Sequence, residues 1–295
     1  MTIDSADYER DMRQTLRQIQ DHLGRVHESL GAVRELVGMV TVYHHPTNAL
    51  PHLNYVTPRQ NTAWVSGPMI QQGIDHLSRL GRAPRVQYIE GLYPPQLGAA
   101  LRKLGLEVER EVPVMVYKVG GTAGRLPPPI QARSLPDGIA IEPVQDHRGM
   151  EAWWYVYRNA YYDVLTLGVE PLLVGRDMAA LRAGDQVDYI LYRYGFPAGV
   201  ARLSLHGETA HILCIALLRE IRTPAMLQII LNAAARGALE RGARIVFLPG
   251  ETEAERRMGR ELGFLDFGSV VCYAANSTAH EGLYASDLDL SVLMF

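Results

Sequence analysis

Residues 119–137 hold Gly120, Gly121, Gly124, Pro127, Pro128, Pro129 and Pro136, a run that can continue neither a helix nor a central strand. Such a segment reads as an interdomain linker and divides the chain into two halves. The halves echo one another. Gly81-Arg82-Ala83-Pro84-Arg85-Val86 is matched in kind by Arg241-Gly242-Ala243-Arg244-Ile245-Val246, and Leu104-Gly105-Leu106 by Leu262-Gly263-Phe264, at nearly one offset. Two echoes at one spacing point to duplication of a structural unit, with the first copy lacking the front strands of the second.

Composition narrows the class. The 295 residues are 47% apolar and 21% charged, which excludes a disordered tail, a collagen-like chain or a disulfide-stapled miniprotein. A net charge of -3 gives no overall electrostatic reason to bind nucleic acid or an anionic membrane. No apolar run approaches the roughly 20 residues of a membrane span. Cys214 and Cys272 lie in apolar strand-like runs and read as buried thiols in a reducing compartment. Residues 2–11 are polar and acidic rather than leader-like, so the expected location is cytoplasmic.

Met12, Leu16, Ile19, Leu23, Val26, Leu30, Val33 and Val37 recur at alternating gaps of four and three, a heptad seam. The spacing predicts a long N-terminal helix within 1–38, capped by Asp4 or Ser5 and stopped by Gly38. Gly24 and Gly31 each weaken it by about 1 kcal/mol, so it can break at either. The seam has two readings: packing on its own domain, or pairing with a second copy as a homodimer. Strands follow at 39–44 and 52–57, a helix at 69–80, a strand at 85–90, a helix at 95–104 and a long strand at 106–118. Beyond the linker come a strand at 139–144 and an aromatic helix from Asp146 to about 163. A short helix near 176–183 and strands at 187–194, 198–205 and 210–218 follow. Pro224 opens a helix to about Arg241, with a buried strand at 243–248, a polar helix at 253–262 and a final strand at 264–274. The tail at 275–295 closes on Val292, Leu293, Met294 and Phe295, apolar residues suited to docking.

In this order of elements, and in Glu261-Leu262-Gly263-Phe264 at the last helix-to-strand junction, residues 138–274 resemble the GNAT acyltransferase superfamily. Residues 39–118 look like a second, incomplete unit. The resemblance implies an α/β fold of two GNAT-like mixed-sheet domains, the first one partial, preceded by the long N-terminal helix. It also implies how a cofactor would be held. One strand splays from the next and bonds the pantetheine arm of acyl-CoA, and the amides of the following helix start hold the pyrophosphate. On this chain that strand contributes Ile215, Ala216, Leu217 and Leu218, and the turn contributes Arg219, Arg222, Thr223 and Ala225.

The turn departs from the family pattern. Its two expected glycines fall at Arg222 and Pro224, which obstruct close backbone approach and remove one amide donor. Arg219 and Arg222 offset this to the extent that their guanidinium groups meet phosphate. The tyrosine that many members use as general acid is replaced by Gly259, and an asparagine common seven residues earlier by Thr252. His211 and Glu251 are candidate bases and Tyr273 a candidate acid. Their plainer readings are a sheet histidine, a helix N-terminal carboxylate and a packed strand tyrosine. His44, His45, His52 and Asn54 form a polar cluster whose spacing matches no metal motif, so hydrogen-bonded strand ends are expected and no metal. The aromatic run from Trp153 to Tyr162 is either core or the wall of an acceptor pocket. The resemblance implies an N-acyltransferase that uses acyl-CoA, acetyl-CoA first among them, and acts on a small-molecule amine by direct transfer. The alternative is a non-catalytic GNAT-fold module for ligand binding or dimerisation that has lost the usual CoA turn.

Overall fold

Gly31, not Gly38, ends the first helix. In the computed structural model, which describes residues 5–60, 64–121, 126–162 and 168–275, helix α1 spans Ser5–Ser29. Gly31 adopts φ +94°. Its N–H donates to the Glu28 carbonyl at 2.9 Å, and the Ala32 N–H donates to the His27 carbonyl at 3.0 Å. That pair is the double hydrogen bond of a left-handed glycine stop. Val33 and Val37, which share the heptad spacing, therefore lie on strand β1 (Val33–Val37) rather than on the helix. Gly38, at φ +57°, turns β1 into β2 (Val40–His44). Leu16, Ile19, Leu23 and Val26 are buried within the chain, so the seam packs on its own protein.

The described residues form two compact units, one made of those up to 114 together with 266–275, the other of those within 115–265. In the first, β2 pairs antiparallel with β1 and with β3 (Tyr55–Pro58). Strand β4 (Arg85–Ile89) meets β3 in parallel at the single register Val56–Val86. Helices α2 (Gly67–Arg79) and α3 (Gln96–Lys103) bury Ile70, Ile74, Leu77, Leu97 and Leu101 in one core with Val40, Val42 and Val56. Glycine at position 73 is required: a Cβ there would come within 2.7 Å of both Val40 and Val56. Strands β2 and β3 fall where strands at 39–44 and 52–57 are expected, and β1 is an additional strand drawn from residues assigned to the helix.

Strand β5 (Leu106–Lys118) begins in the first unit, and its Met115 and Tyr117 enter the core of the second. That unit continues with β6 (Ile139–Pro143), α4 (His147–Tyr162) and α5 (Pro171–Ala183). Strands β7 (Gln186–Arg193), β8 (Phe196–His206) and β9 (Thr209–Leu217) form an antiparallel meander. Tyr194 and Gly195, with φ +49° and +81°, make the tight turn between β7 and β8. Helix α6 (Pro224–Glu240), strand β10 (Ile245–Pro249) and helix α7 (Glu253–Glu261) follow. The sheet order here is β5-β10-β9-β8-β7-β6. The last strand, β11 (Leu265–Ala275), pairs antiparallel with β4 and so completes the first unit's sheet. The tail beyond residue 275 lies outside the described residues. Among the described residues no helix is long and apolar enough to cross a membrane.

Helix α6 lies close on the second sheet because Gly237 has no side chain: a Cβ there would overlap the Tyr189 hydroxyl. That hydroxyl accepts from Arg241 Nη1 at 3.0 Å. Alanine favours helix by about 1 kcal/mol over glycine, yet overpacking costs about 1–3 kcal/mol. Gly237→Ala is thus expected to lower the urea midpoint, and adding Tyr189→Phe to recover part of the loss.

Candidate functional site

The parallel pair β9–β10 is short. Thr209, Ala210 and His211 match Ile245, Val246 and Phe247, and the ladder ends there. Strand β9 nevertheless runs on to Leu217. Its register with β8 shifts between Arg202 and Leu203, where Cys214 and Ile212 are the partners and Leu213 is the extra residue. A bulge of this kind bends a strand and raises its twist. Here it falls where β10 departs, so the edge of 212–217 that faces away from β8 has no partner in the β10 ladder. The Leu218 N–H donates to the Ala198 carbonyl at 2.8 Å. By the alternation of a strand, Leu217 and Ile215 direct their backbone groups to the open edge, whereas Ala216 and Leu218 direct theirs to β8.

Beyond β9 a 3-10 turn at Arg219–Ile221 leads into α6. Thr223 caps that helix, its hydroxyl accepting from the Met226 N–H at 3.3 Å. The Leu227 N–H is taken by the Thr223 carbonyl and the Thr223 N–H by the Ile221 carbonyl. Pro224 has no N–H, which leaves the Ala225 amide as the donor at the helix start. Arg219 is exposed and makes no ion pair among the described residues. Arg222 points elsewhere: its Nε donates to the Leu217 carbonyl at 3.1 Å and its Nη2 to the Ala160 carbonyl of α4. It thus ties down one acceptor of the open edge.

The candidate proton-transfer residues are divided between the two units. His211 is 1% exposed and stacks on Phe247 at 4.4 Å, at the apex where the strands part. Glu251 is exposed, two residues past the end of β10. Three residues lie between Phe247 and Glu251, so Glu251 stands up to about 13 Å along the chain from the residue on which His211 stacks. Tyr273 belongs to the first unit, where it stacks on Tyr88 with centroids 6.0 Å apart. Gly259 cannot be a tyrosine without moving Met115, whose Sδ would lie 2.8 Å from a Cβ there. Thr252 is spent on a capping box with Glu255.

Other candidates resolve into packing. Trp153, Trp154 and Tyr157 are fully buried, with the indole N–H groups donating to the Ala201 carbonyl and to Asp177 Oδ2, both at 3.1 Å. The side chains of Tyr161 and Tyr162 lie outside the described residues. Burial pushes the thiols up, Cys214 to about 12 and Cys272 to about 11. In the polar cluster, Asn54 Oδ1 accepts from the His45 amide and from Arg82 Nε, both at 3.0 Å. His44 and His76 both meet Glu35, at 3.1 and 2.6 Å. Among the described residues no group of three or more ionisable ligands is placed to hold a metal.

One group escaped the sequence reading altogether. Arg202 is 3% exposed and meets two buried carboxylates, Asp188 at 2.7 Å and Asp177 at 2.6 Å, while its guanidinium carbon lies 4.0 Å from the Trp153 ring centroid. Burial works against the charge of Arg202, and Asp188 and Asp177 more than offset it. Burial raises the Asp188 carboxyl, and Arg202 draws it back. The three residues come from α5, β7 and β8, so no local pattern joins them.

No family model matches the chain, and no curated protein is significantly similar to it. Solved structures do match. A GCN5-related N-acetyltransferase from Kribbella flavida superposes with a TM-score of 0.66 at 16% identity, covering 90% of this chain and 95% of its own. A tandem GNAT protein from the clavulanic acid biosynthesis pathway gives 0.57 at 12% identity, over 80% and 78% of the two chains. A GCN5-related N-acetyltransferase from Sphaerobacter thermophilus gives 0.54 at 13% identity, over 81% of each. At these identities the likeness is one of fold: the chain has the tandem GNAT fold.

Proposed function

We propose that the second unit is an N-acyltransferase site that takes an acyl group from acyl-CoA, acetyl-CoA first among them, and passes it directly to the amine of a small molecule in the cytoplasm. The observation that carries this reading is the open edge of β9 beyond His211, left by the early end of the β9–β10 ladder. The backbone of Ile215 and Leu217, which lies outside the β10 ladder, suits an extended amide-bearing chain that adds itself as a strand once Arg222 releases the Leu217 carbonyl. The Ala225 amide and the Arg219 guanidinium suit the phosphates at the helix start. Acyl-CoA supplies a thioester carbonyl. A C–N bond forms there as the C–S bond breaks, and the amine proton must leave. His211 sits at the apex, where the acyl end would lie, and Glu251 at the rim can take the proton through water. Backbone N–H groups of the open edge would stabilise the developing oxyanion.

One observation favours a second reading, a ligand-binding module without catalysis: Arg222 already occupies the Leu217 carbonyl and bridges it to α4. Calorimetry with acetyl-CoA separates the two. The enzyme reading expects binding by the wild type and an affinity lower by about tenfold in Arg219→Ala, the loss of one charge-assisted contact. Binding only after Arg222→Ala would mark the turn as closed in the native protein and support the second reading. No heat at millimolar acetyl-CoA from either protein would overturn the acyl-CoA site.

A further inference from the structure

The first unit contains a cavity of about 400 Å³ that the acyl-CoA reading does not use. Ligand pockets typically measure about 300–1,000 Å³. Its floor is one face of the sheet: Thr41 and Tyr43 of β2 stand opposite Thr57 and Tyr55 of β3 in direct cross-strand register. Strands β3 and β4 are registered at Val56–Val86, and the cavity is lined by residues of both beyond that point, Thr57–Pro58 and Gln87–Ile89. Gln20 and Leu23 of α1 close the roof. Gly24 lets α1 come down on this floor, since a Cβ there would overlap the Tyr43 hydroxyl.

The floor is aromatic and uncharged. Tyr43 and Tyr55 stack with centroids 5.0 Å apart. Burial pushes the Tyr43 phenol up to about 12 and raises that of Tyr55 as well, so both are neutral near pH 7. The Tyr55 hydroxyl and His27 Nδ1 share a hydrogen bond at 2.7 Å. The rim is cationic. Arg34 and Arg59 both line the cavity, and among the described residues no wall residue is a carboxylate. Arg34 has Glu28 3.9 Å away, a carboxylate that Arg25 approaches more closely, at 3.4 Å. Arg59 donates to the Gly38 carbonyl at 3.4 Å and makes no ion pair among the described residues. Guanidinium groups present their donors as a fork that matches carboxylate and phosphate oxygens.

We propose that this cavity is a binding site for a small anion with a flat unsaturated body, its carboxylate or phosphate held at the rim by Arg34 and Arg59 and its body lying against the stacked pair of Tyr43 and Tyr55. The site is separate from the opening between β9 and β10 and stands whether or not that opening binds acyl-CoA.

The test is calorimetry of the full chain with phenyl phosphate, benzoate, inorganic phosphate and benzamide. Phenyl phosphate or benzoate should bind at millimolar concentration or below. Benzamide, which lacks the charge, and inorganic phosphate, which lacks the ring, should bind at least about tenfold more weakly. Arg34→Gln with Arg59→Gln changes exposed side chains that the core does not need, and should weaken the ring-bearing anions by about tenfold or more. The same variant should leave acetyl-CoA titrations unchanged, which keeps failure here distinct from failure of the acyl-CoA reading. No binding of either ring-bearing anion, equal binding of benzamide, or an unchanged affinity in the double variant would each overturn the proposal. Equal binding of inorganic phosphate would remove the aromatic half of it.

Discussion

Arg202→Met is expected to lower the unfolding free energy by about 3–5 kcal/mol, the usual cost of stripping one partner from a buried ion pair. The variant leaves Asp188 at 0% exposure and Asp177 at 2%, with their shared cation gone. Asp177 keeps contacts with Arg176 Nη2 at 2.9 Å and with the Trp154 indole N–H. Among the described residues, the Asp188 carboxylate keeps only the Gln186 amide, at 2.7 Å. The larger share of the loss therefore falls on Asp188. Adding Asp188→Asn should return a good part of it, because a neutral amide costs less to bury than a carboxylate. Urea denaturation of the single and double variants measures both effects. A single variant within about 1 kcal/mol of wild type would mean that water reaches the cluster.

Acid is expected to destabilise the first unit well before its carboxylates titrate. Burial, helped by the nearby His52, lowers His27 from 6.5 to about 3, and burial lowers His52 to about 4. Between those values and 6.5 the unfolded chain takes up protons that the folded protein refuses, so stability is lost as pH falls. The contribution is complete above pH 6.5 and shrinks as pH falls toward 4. Each depressed histidine costs about 1.4 kcal/mol per pH unit below its unfolded value. From pH 7 to pH 5 the pair amounts to roughly 2–4 kcal/mol, reduced by the coupling between the two rings. Unfolding free energies across that range test this. His27→Phe with Tyr55→Phe removes one titrating ring together with its hydrogen-bond partner, and should flatten the slope by about half. An unchanged slope would place the acid-sensitive group elsewhere.

What the sequence disclosed, and what it withheld, follows the range of the interactions. Helices α2, α6 and α7 and strands β7 to β9 were readable because period, caps and turns are local: Pro224 at a helix start, Tyr194-Gly195 at a hairpin. The heptad spacing runs past the end of the first helix for a reason of the same kind. Val33 and Val37 are spaced four apart, which suits a helix face and, at every second pair of residues, a strand face as well; only Gly31 decides between them. The cavity in the first unit left a faint trace in the alternation of Thr41 with Tyr43 and of Tyr55 with Thr57. It stayed hidden because its shape depends on which strands become neighbours. Arg202 met its carboxylates across three elements, and Arg222 met Ala160 across two. No spacing rule connects such residues. For the same reason Arg222 was expected to face a phosphate, whereas in this structure it holds two carbonyls.

The exchange of strand ends has a consequence for the order of folding during synthesis. Residues 115–265 are continuous, so the second unit is complete as soon as they emerge. The first unit appears earlier but waits for β11, at the far end of the chain, to cover the edge of β4. Until then that edge, with Val86, Tyr88 and Ile89 beside it, is an open template for other strands. The older half of the nascent protein is thus the later half to mature. Closing it spans well over a hundred residues, an entropic cost that grows only slowly with loop length and is borne mainly in rate. A nascent chain that has emerged as far as residue 265 and no further would carry a finished second unit and an unfinished first one.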